Sequence, residues 1–206
     1  SSVENLNLIR NVINGKNIDI INLDHSKYQN KISEQKNKET FANLASLLQS
    51  FEIGKDANED LIFFIEDDYL HFETMLEEMV SSYERIASQM NKDIFMCPSD
   101  YPYLYMNNTK TNVLIGNKRH WRTVDRTLCT FMTTKSLLNK YWDNFYKNCL
   151  ERHDPFEKYL NEIYSKEICI SPLKSLSLHL TNVNSSYGLS PLIDYKKLWE
   201  ENKIND

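Results

Sequence analysis

Glu66, Asp67 and Asp68 stand in a row directly after the apolar run Leu61, Ile62, Phe63, Phe64, Ile65. Such a run reads as a strand buried on both faces of a sheet. Side chains alternate along it, so Glu66 and Asp68 leave on one side and Asp67 on the other. Three acids crowded at the end of a buried strand repel one another and are costly to ionise without a cation nearby. A hard divalent ion, Mn2+ or Mg2+, answers that need because it takes carboxylate oxygen. In open α/β sheets ligands lie outside the carboxyl ends of the strands, which is where these acids fall. The plainer reading is a solvated strand end in which Asp67 or Asp68 caps the helix that follows.

Other residues have types suited to the same chemistry. His179 ends a short strand at the same edge, and a neutral imidazole is a good ligand for a borderline metal; the plain alternative is a surface or satisfied core histidine. Asp154 precedes Pro155, where the pattern predicts the N-cap and first residue of a helix over 156–164. A carboxylate there is either a general base for a hydroxyl or only a cap, and the helix dipole keeps it ionised while weakening it as a base. Asp100 lies among Tyr101, Tyr103 and Tyr105 and is the rival base, beside aromatic faces on which a sugar ring stacks. Arg122, with Lys118, Arg119, His120 and Trp121, suits phosphate or acceptor oxygens; two arginines in a loop are also ordinary surface.

The elements that must position these residues follow from periodicity. Helices are predicted over 3–13, ended near Gly15, and over 41–51, ended by Gly54; a third covers 72–90 and a fourth 136–150. Strands are predicted over 18–23, 61–65, 94–97, 113–115, 128–132 and 168–170, with a further short one over 175–180. The basic residues 118–122 read as a loop between two strands. The stretch 26–38 reads as a surface loop with one helical turn, and the tail from Thr181 as a polar loop followed by a helix around 195–199. Helix, glycine turn and strand at the start form the second half of a β-α-β unit. Its first strand is expected upstream of Ser1.

The chain has 206 residues, 41% hydrophobic and 26% charged, which suits one soluble globular domain over 1–206. A net charge of −5 argues against nucleic acid as a partner, since phosphate binding needs an excess of Lys and Arg. No apolar run reaches membrane-spanning length, so no integral membrane segment is expected. The four cysteines show no metal-ligand spacing and read as buried free thiols in a reducing, cytoplasmic setting, bacterial or that of a virus-infected cell. Only four glycines leave no room for either common phosphate loop.

The stretch LIFFIEDDYL followed by an amphipathic helix resembles the metal-binding strand end of GT-A-fold glycosyltransferases, and its Glu-Asp-Asp form is similar to that of the N-acetylglucosaminyltransferase I group. CTFM (129–132) with its following helix resembles the acceptor half, HDPFEKYL (153–160) the helix whose first acid is the base of inverting members, and SPLKSLSLHLT (171–181) the late segment whose histidine returns to the metal. The resemblance implies a three-layer α/β/α fold with a mostly parallel mixed sheet. It implies an enzyme that uses Mn2+ or Mg2+ to move a sugar from a nucleotide-sugar donor, a UDP-sugar, to a hydroxyl of a glycan or glycoprotein acceptor, with inversion. In that reading Asp68 and His179 hold the metal, Glu66 a metal-bound water, and Asp67 the sugar or ribose. Lys38, Asn43 and Lys31 lie where the superfamily places donor contacts, although a solvated helix start explains the lysines as well. Tyr187, with Gly188, closes over the donor as a lid. Pro155 in place of a second acid, and the absent first strand, depart from the pattern. Two other readings use the same residues: a non-catalytic glycosyltransferase-like binding domain within a larger multidomain chain, and a two-metal phosphoesterase.

Overall fold

The computed structural model describes residues 3–34, 37–106, 108–181, 185–186, 188 and 193–201. Its centre is a six-stranded sheet of β1 (Leu61–Phe64), β3 (Phe95–Met96), β4 (Val113–Ile115), β5 (His120–Val124), β6 (Phe131–Thr134) and β7 (Cys169–Pro172). The strand order is β1-β6-β3-β7-β5-β4. A separate two-stranded ribbon pairs β2 (Tyr69–His71) with β8 (Ser177–His179).

Both faces of the sheet are covered, because consecutive strand residues point opposite ways. Phe64, Phe95, Phe131 and Cys169 join the larger core with Leu44, Leu48, Phe51, Phe145 and Leu160. These come from α3 (Lys38–Asp56), α6 (Trp142–Asn148) and α7 (Lys158–Tyr164). Phe63, Met96, Met132 and Ile170 face the other way and pack with Met75, Met79 and Ile86 of α4 (Met75–Met90). Asn37 starts α3, its side chain accepting from the N–H groups of Glu39 and Thr40. The left-handed Asn91, at φ 50, stops α4.

The sheet is mixed, but the expected mostly parallel arrangement is corrected. Only β3 and β7 run parallel; the other four pairings are antiparallel. The reversals come from β6, which enters between β1 and β3 and opposes both, and from β5, which opposes both β7 and β4. Several predicted elements also change. β1 is an edge strand, and Ile65 is 53% exposed, so the apolar run is not buried on both faces. The acids that follow occupy a turn into β2 instead of extending the strand, and α4 starts only at Met75. No strand forms over 18–23: Ile18, Ile20 and Ile21 are exposed, and Leu23 alone of these apolar residues packs on the core. Local apolar character makes a strand only where a ladder receives it. Gly54 does not end α3, which continues to Asp56; a Cβ there would lie 2.8 Å from the Phe64 ring, so glycine lets the helix approach β1. The helix predicted over 136–150 is divided at Tyr141 into α5 (Lys135–Lys140) and α6. The short helices α1 (Val3–Ile13), α2 (His25–Tyr28) and α8 (Tyr195–Glu201) complete the chain, and among the described residues no helix is long and apolar enough to cross a membrane.

The basic segment 118–122 is used structurally. It turns from β4 into β5 and docks on α4 through Glu78, which is 1% exposed. The Lys118 N–H donates to both Glu78 oxygens at 3.1 and 2.9 Å, and Ser82 Oγ donates to Oε1 at 2.9 Å. Trp121 Nε1 donates to Ser82 Oγ at 3.1 Å. Removing the carboxylate takes the acceptor from the Lys118 N–H and the Ser82 hydroxyl, so Glu78→Ala is expected to cost about 2–4 kcal/mol of unfolding free energy. Urea denaturation of the variant against wild type measures it.

Candidate functional site

The turn after β1 forms the wall of a cavity of ≈ 490 Å³ whose lining includes Glu66, Asp67 and Asp68. Opposite them, α3 presents Asn43, Ser46 and Ser50, three polar residues at helical spacing on one face. Phe64, Cys129 and Phe156 close the apolar side. No Lys or Arg is among the described lining residues. An anionic ligand entering alone would meet three carboxylates and no described counter-charge, a repulsion that an accompanying cation would offset.

Asp68 is held by the β2–β8 ribbon. Tyr69 is paired with His179, and the N–H of Leu180 donates to the Asp68 carbonyl at 2.8 Å. This register sets His179 Nε2 2.9 Å from Asp68 Oδ2, while Thr181 Oγ1 donates to the same oxygen at 2.5 Å. The Tyr69 ring stacks on His179 at 4.8 Å. Asp68 Oδ1 is buried and has no hydrogen-bond partner. A buried carboxylate oxygen without a donor is costly until some partner meets it. A divalent cation is one partner that would satisfy that oxygen, on the carboxylate whose other oxygen His179 meets. Among the described residues no group of three or more His, Cys, Asp or Glu is arranged so that it could hold a metal ion by itself. An ion held at Asp68 would have to draw the rest of its shell from water and ligand oxygens, as Mg2+ and Mn2+ do.

Glu66 is fixed by Thr130, whose Oγ1 accepts from the Glu66 N–H at 3.0 Å and donates to Oε2 at 3.2 Å. Burial, and then the charge of Asp68, push its carboxyl up to about 7. The charge of Glu157 raises it slightly further, although Glu157 is not itself among the cavity's lining residues. Glu157 follows the pocket residue Phe156 and immediately precedes α7; burial pushes its own carboxyl up to about 7.

The structure thus brings together Glu66, Asp67, Asp68, Asn43 and His179, and separates the other candidates from them. Asp154 is not the N-cap of a helix over 156–164: α7 begins at Lys158 with Glu157 before it, and Asp154 is exposed. The expected N-cap chemistry fails because the peptide from 154 to 157 turns before the helix starts. Asp100 and Arg122 are buried against each other, with Arg122 Nη2 2.6 Å from Asp100 Oδ1, and line no part of the acidic pocket. Lys38 is the exposed first residue of α3, and Lys31 is paired with Glu52 at 3.1 Å. Tyr187 lies outside the described residues. Thr130, Thr181 and Glu157 were not singled out by sequence. Thr181 lies two residues past the end of β8 at His179; Thr130 is brought in only by the β1–β6 pairing, and Glu157 was eclipsed by the expected cap at Asp154. No family model matches the chain, and no curated protein matches it.

Proposed function

We propose that the protein is a metal-dependent glycosyltransferase of GT-A type, transferring a sugar from a nucleotide-sugar donor, a UDP-sugar, to a hydroxyl of a glycan or glycoprotein, with inversion. The observation that carries this reading is Asp68: its Oδ1 is buried and unpartnered while its Oδ2 is met by His179, and it lines an acidic cavity large enough for a nucleotide-sugar with no basic residue among the described lining residues. Such a cavity suits an anion that arrives with its cation.

In this reading Asp68 and His179 hold the cation, which when bound neutralises the departing diphosphate as a Lewis acid. Thr181 and the β2–β8 ribbon fix the Asp68 carboxylate, so the site is formed before the donor enters. Asn43, Ser46 and Ser50 offer hydroxyl and amide groups to the ribose or the sugar, and Asp67, exposed at the rim, orients the sugar. Glu157 is the general base. A carboxyl raised to about 7 is half ionised at neutral pH and is a stronger base than an ordinary glutamate. It accepts the proton of the acceptor hydroxyl as that oxygen attacks the anomeric carbon and the diphosphate leaves from the opposite face. Asp154→Asn, altering an exposed acid, is expected to change kcat by less than about twofold, measured by the same transfer assay.

The test is incubation with Mn2+, simple glycoside acceptors and a panel of UDP-, GDP- and CMP-sugars, with products read by mass spectrometry and anomeric configuration by NMR. Transfer with inversion supports the reading. Neither transfer nor donor hydrolysis with any of the three nucleotide classes would sink it.

A further inference from the structure

A second cavity, of ≈ 240 Å³, lies beside β5 and the loop before β4, and its lining includes Tyr105, Thr109, Thr111, Arg122, Thr123 and Arg126. Arg122, 7% exposed, is built into its wall. Arg122 Nη2 donates to Asp100 Oδ1 at 2.6 Å, and the guanidinium carbon sits 3.9 Å from the centre of the Tyr105 ring. The Tyr105 hydroxyl donates to Asp100 Oδ2 at 2.5 Å, and the Asp100 N–H donates to Ser175 Oγ at 2.8 Å. Four groups therefore hold one another rigidly. Arg122 Nε is left buried with no acceptor, which is costly until a ligand or water oxygen meets it.

The charges of this cavity are cancelled in place. Asp100 balances Arg122, and Asp125 sits 3.1 Å from Arg126. A pocket of fixed donors and hydroxyls with balanced charge discriminates against ions and favours an uncharged ligand rich in hydroxyls. Tyr105 remains 54% exposed, so its ring offers a flat apolar platform at the mouth. An aromatic face, a rigid donor and threonine hydroxyls together match the alternating apolar and polar surfaces of a pyranose. The volume is below the range of about 300–1,000 Å³ of drug-sized sites, and so suits one ring.

A chain of buried aromatic contacts runs from the cavity to His179, the partner of Asp68. Tyr103, which also lines it, stacks on Tyr101 at 5.4 Å; the Tyr101 and Tyr69 hydroxyls are 2.6 Å apart; and Tyr69 stacks on His179. We infer that this cavity is a recognition subsite for one uncharged sugar residue of the acceptor, with Tyr105 as platform and Arg122 as the fixed donor. Its assignment to the acceptor rests on the glycosyltransferase reading; its affinity for a neutral sugar does not.

Amide chemical-shift titration of the full chain tests it, with the methyl glycosides of glucose, galactose, mannose and N-acetylglucosamine as probes and glucose 6-phosphate and sialic acid as charged counterparts. At least one neutral glycoside is expected to shift the amides of Thr111, Thr123 and Arg126 saturably. Tyr105→Ala is expected to weaken that binding by about tenfold or more, as loss of a central aromatic contact does. Arg122→Lys, which keeps a charge opposite Asp100 but has no Nε, weakens it too. No saturable shift with any neutral glycoside, a preference for the charged sugars, or binding untouched by Tyr105→Ala would overturn the inference. Mn2+-dependent UDP binding is followed in the same samples. Sugar binding without UDP binding supports the subsite and removes the glycosyltransferase reading; UDP binding without sugar binding removes the subsite alone.

Discussion

Asp68→Asn is expected to lower the rate of sugar transfer by about 10³-fold, the scale of losing the group that presents a charge-stabilising element to the reaction. The amide keeps an oxygen to accept from Thr181 and has nearly the same shape, so the β2–β8 register survives. What it lacks is the negative charge and the second acceptor oxygen, the one buried without a partner in wild type. The two proteins should therefore melt at similar temperatures without metal. With millimolar Mn2+ the wild type should gain stability by binding linkage and the variant should not. Thermal melting with and without Mn2+, run beside the transfer assay, separates loss of the site from loss of the fold. A variant as active as wild type would remove Asp68 from the metal role.

The second large effect concerns Glu157. Glu157→Gln is expected to reduce kcat by about 10²–10⁴-fold, the usual contribution of a general base, with nucleotide affinity unchanged. The pH dependence has a definite sign. The base works when deprotonated, so the wild-type rate should rise with pH through about 7, and the residual rate of the variant should not follow that rise. Stability runs the opposite way. Burial raises the folded-state carboxyl above its ordinary 4.5, so the folded chain holds a proton that the unfolded chain releases between 4.5 and about 7. That stabilisation is complete below 4.5 and is lost as pH rises through about 7. Glutamine stays neutral throughout, so the variant should become the more stable protein by pH 8. Activity lost together with stability gained at high pH is a pattern that a merely structural carboxylate would not give. Rate–pH profiles and urea midpoints at pH 5 and pH 8 measure both halves.

The acidic cluster was legible because its signal is local: an apolar run ending in three carboxylates needs no partner to be noticed. The pairing with His179 was legible too, since a short alternating segment that ends in histidine belongs at a strand end. The helices α3 and α4 follow from three- and four-residue spacing, and the buried positions Leu44, Leu48 and Phe51 or Met75, Met79 and Ile86 fall on those periods. The rest depended on distance in sequence. Strand direction is decided by which strands meet, and β6 reaches β1 and β3 across some 70 and 35 residues, so nothing in 131–134 announces that it reverses the sheet. The segment 118–122 reads as a free basic loop, yet Glu78 and Ser82, buried on α4, claim it. Asp100 and Arg122 each suit catalysis by type, and the fold spends each on the other. Asp154 and Glu157 are three residues apart, and only the position at which α7 begins distinguishes the exposed acid from the half-buried one.

The most direct measurement of the central claim is calorimetric titration of UDP, GDP and CMP into wild type and Asp68→Asn, each with and without Mn2+. The account predicts that one nucleotide, UDP, binds wild type only when Mn2+ is present, and that the variant does not bind it under either condition. Binding that is indifferent to the metal and to Asp68, or no binding of any of the three nucleotides, would contradict it.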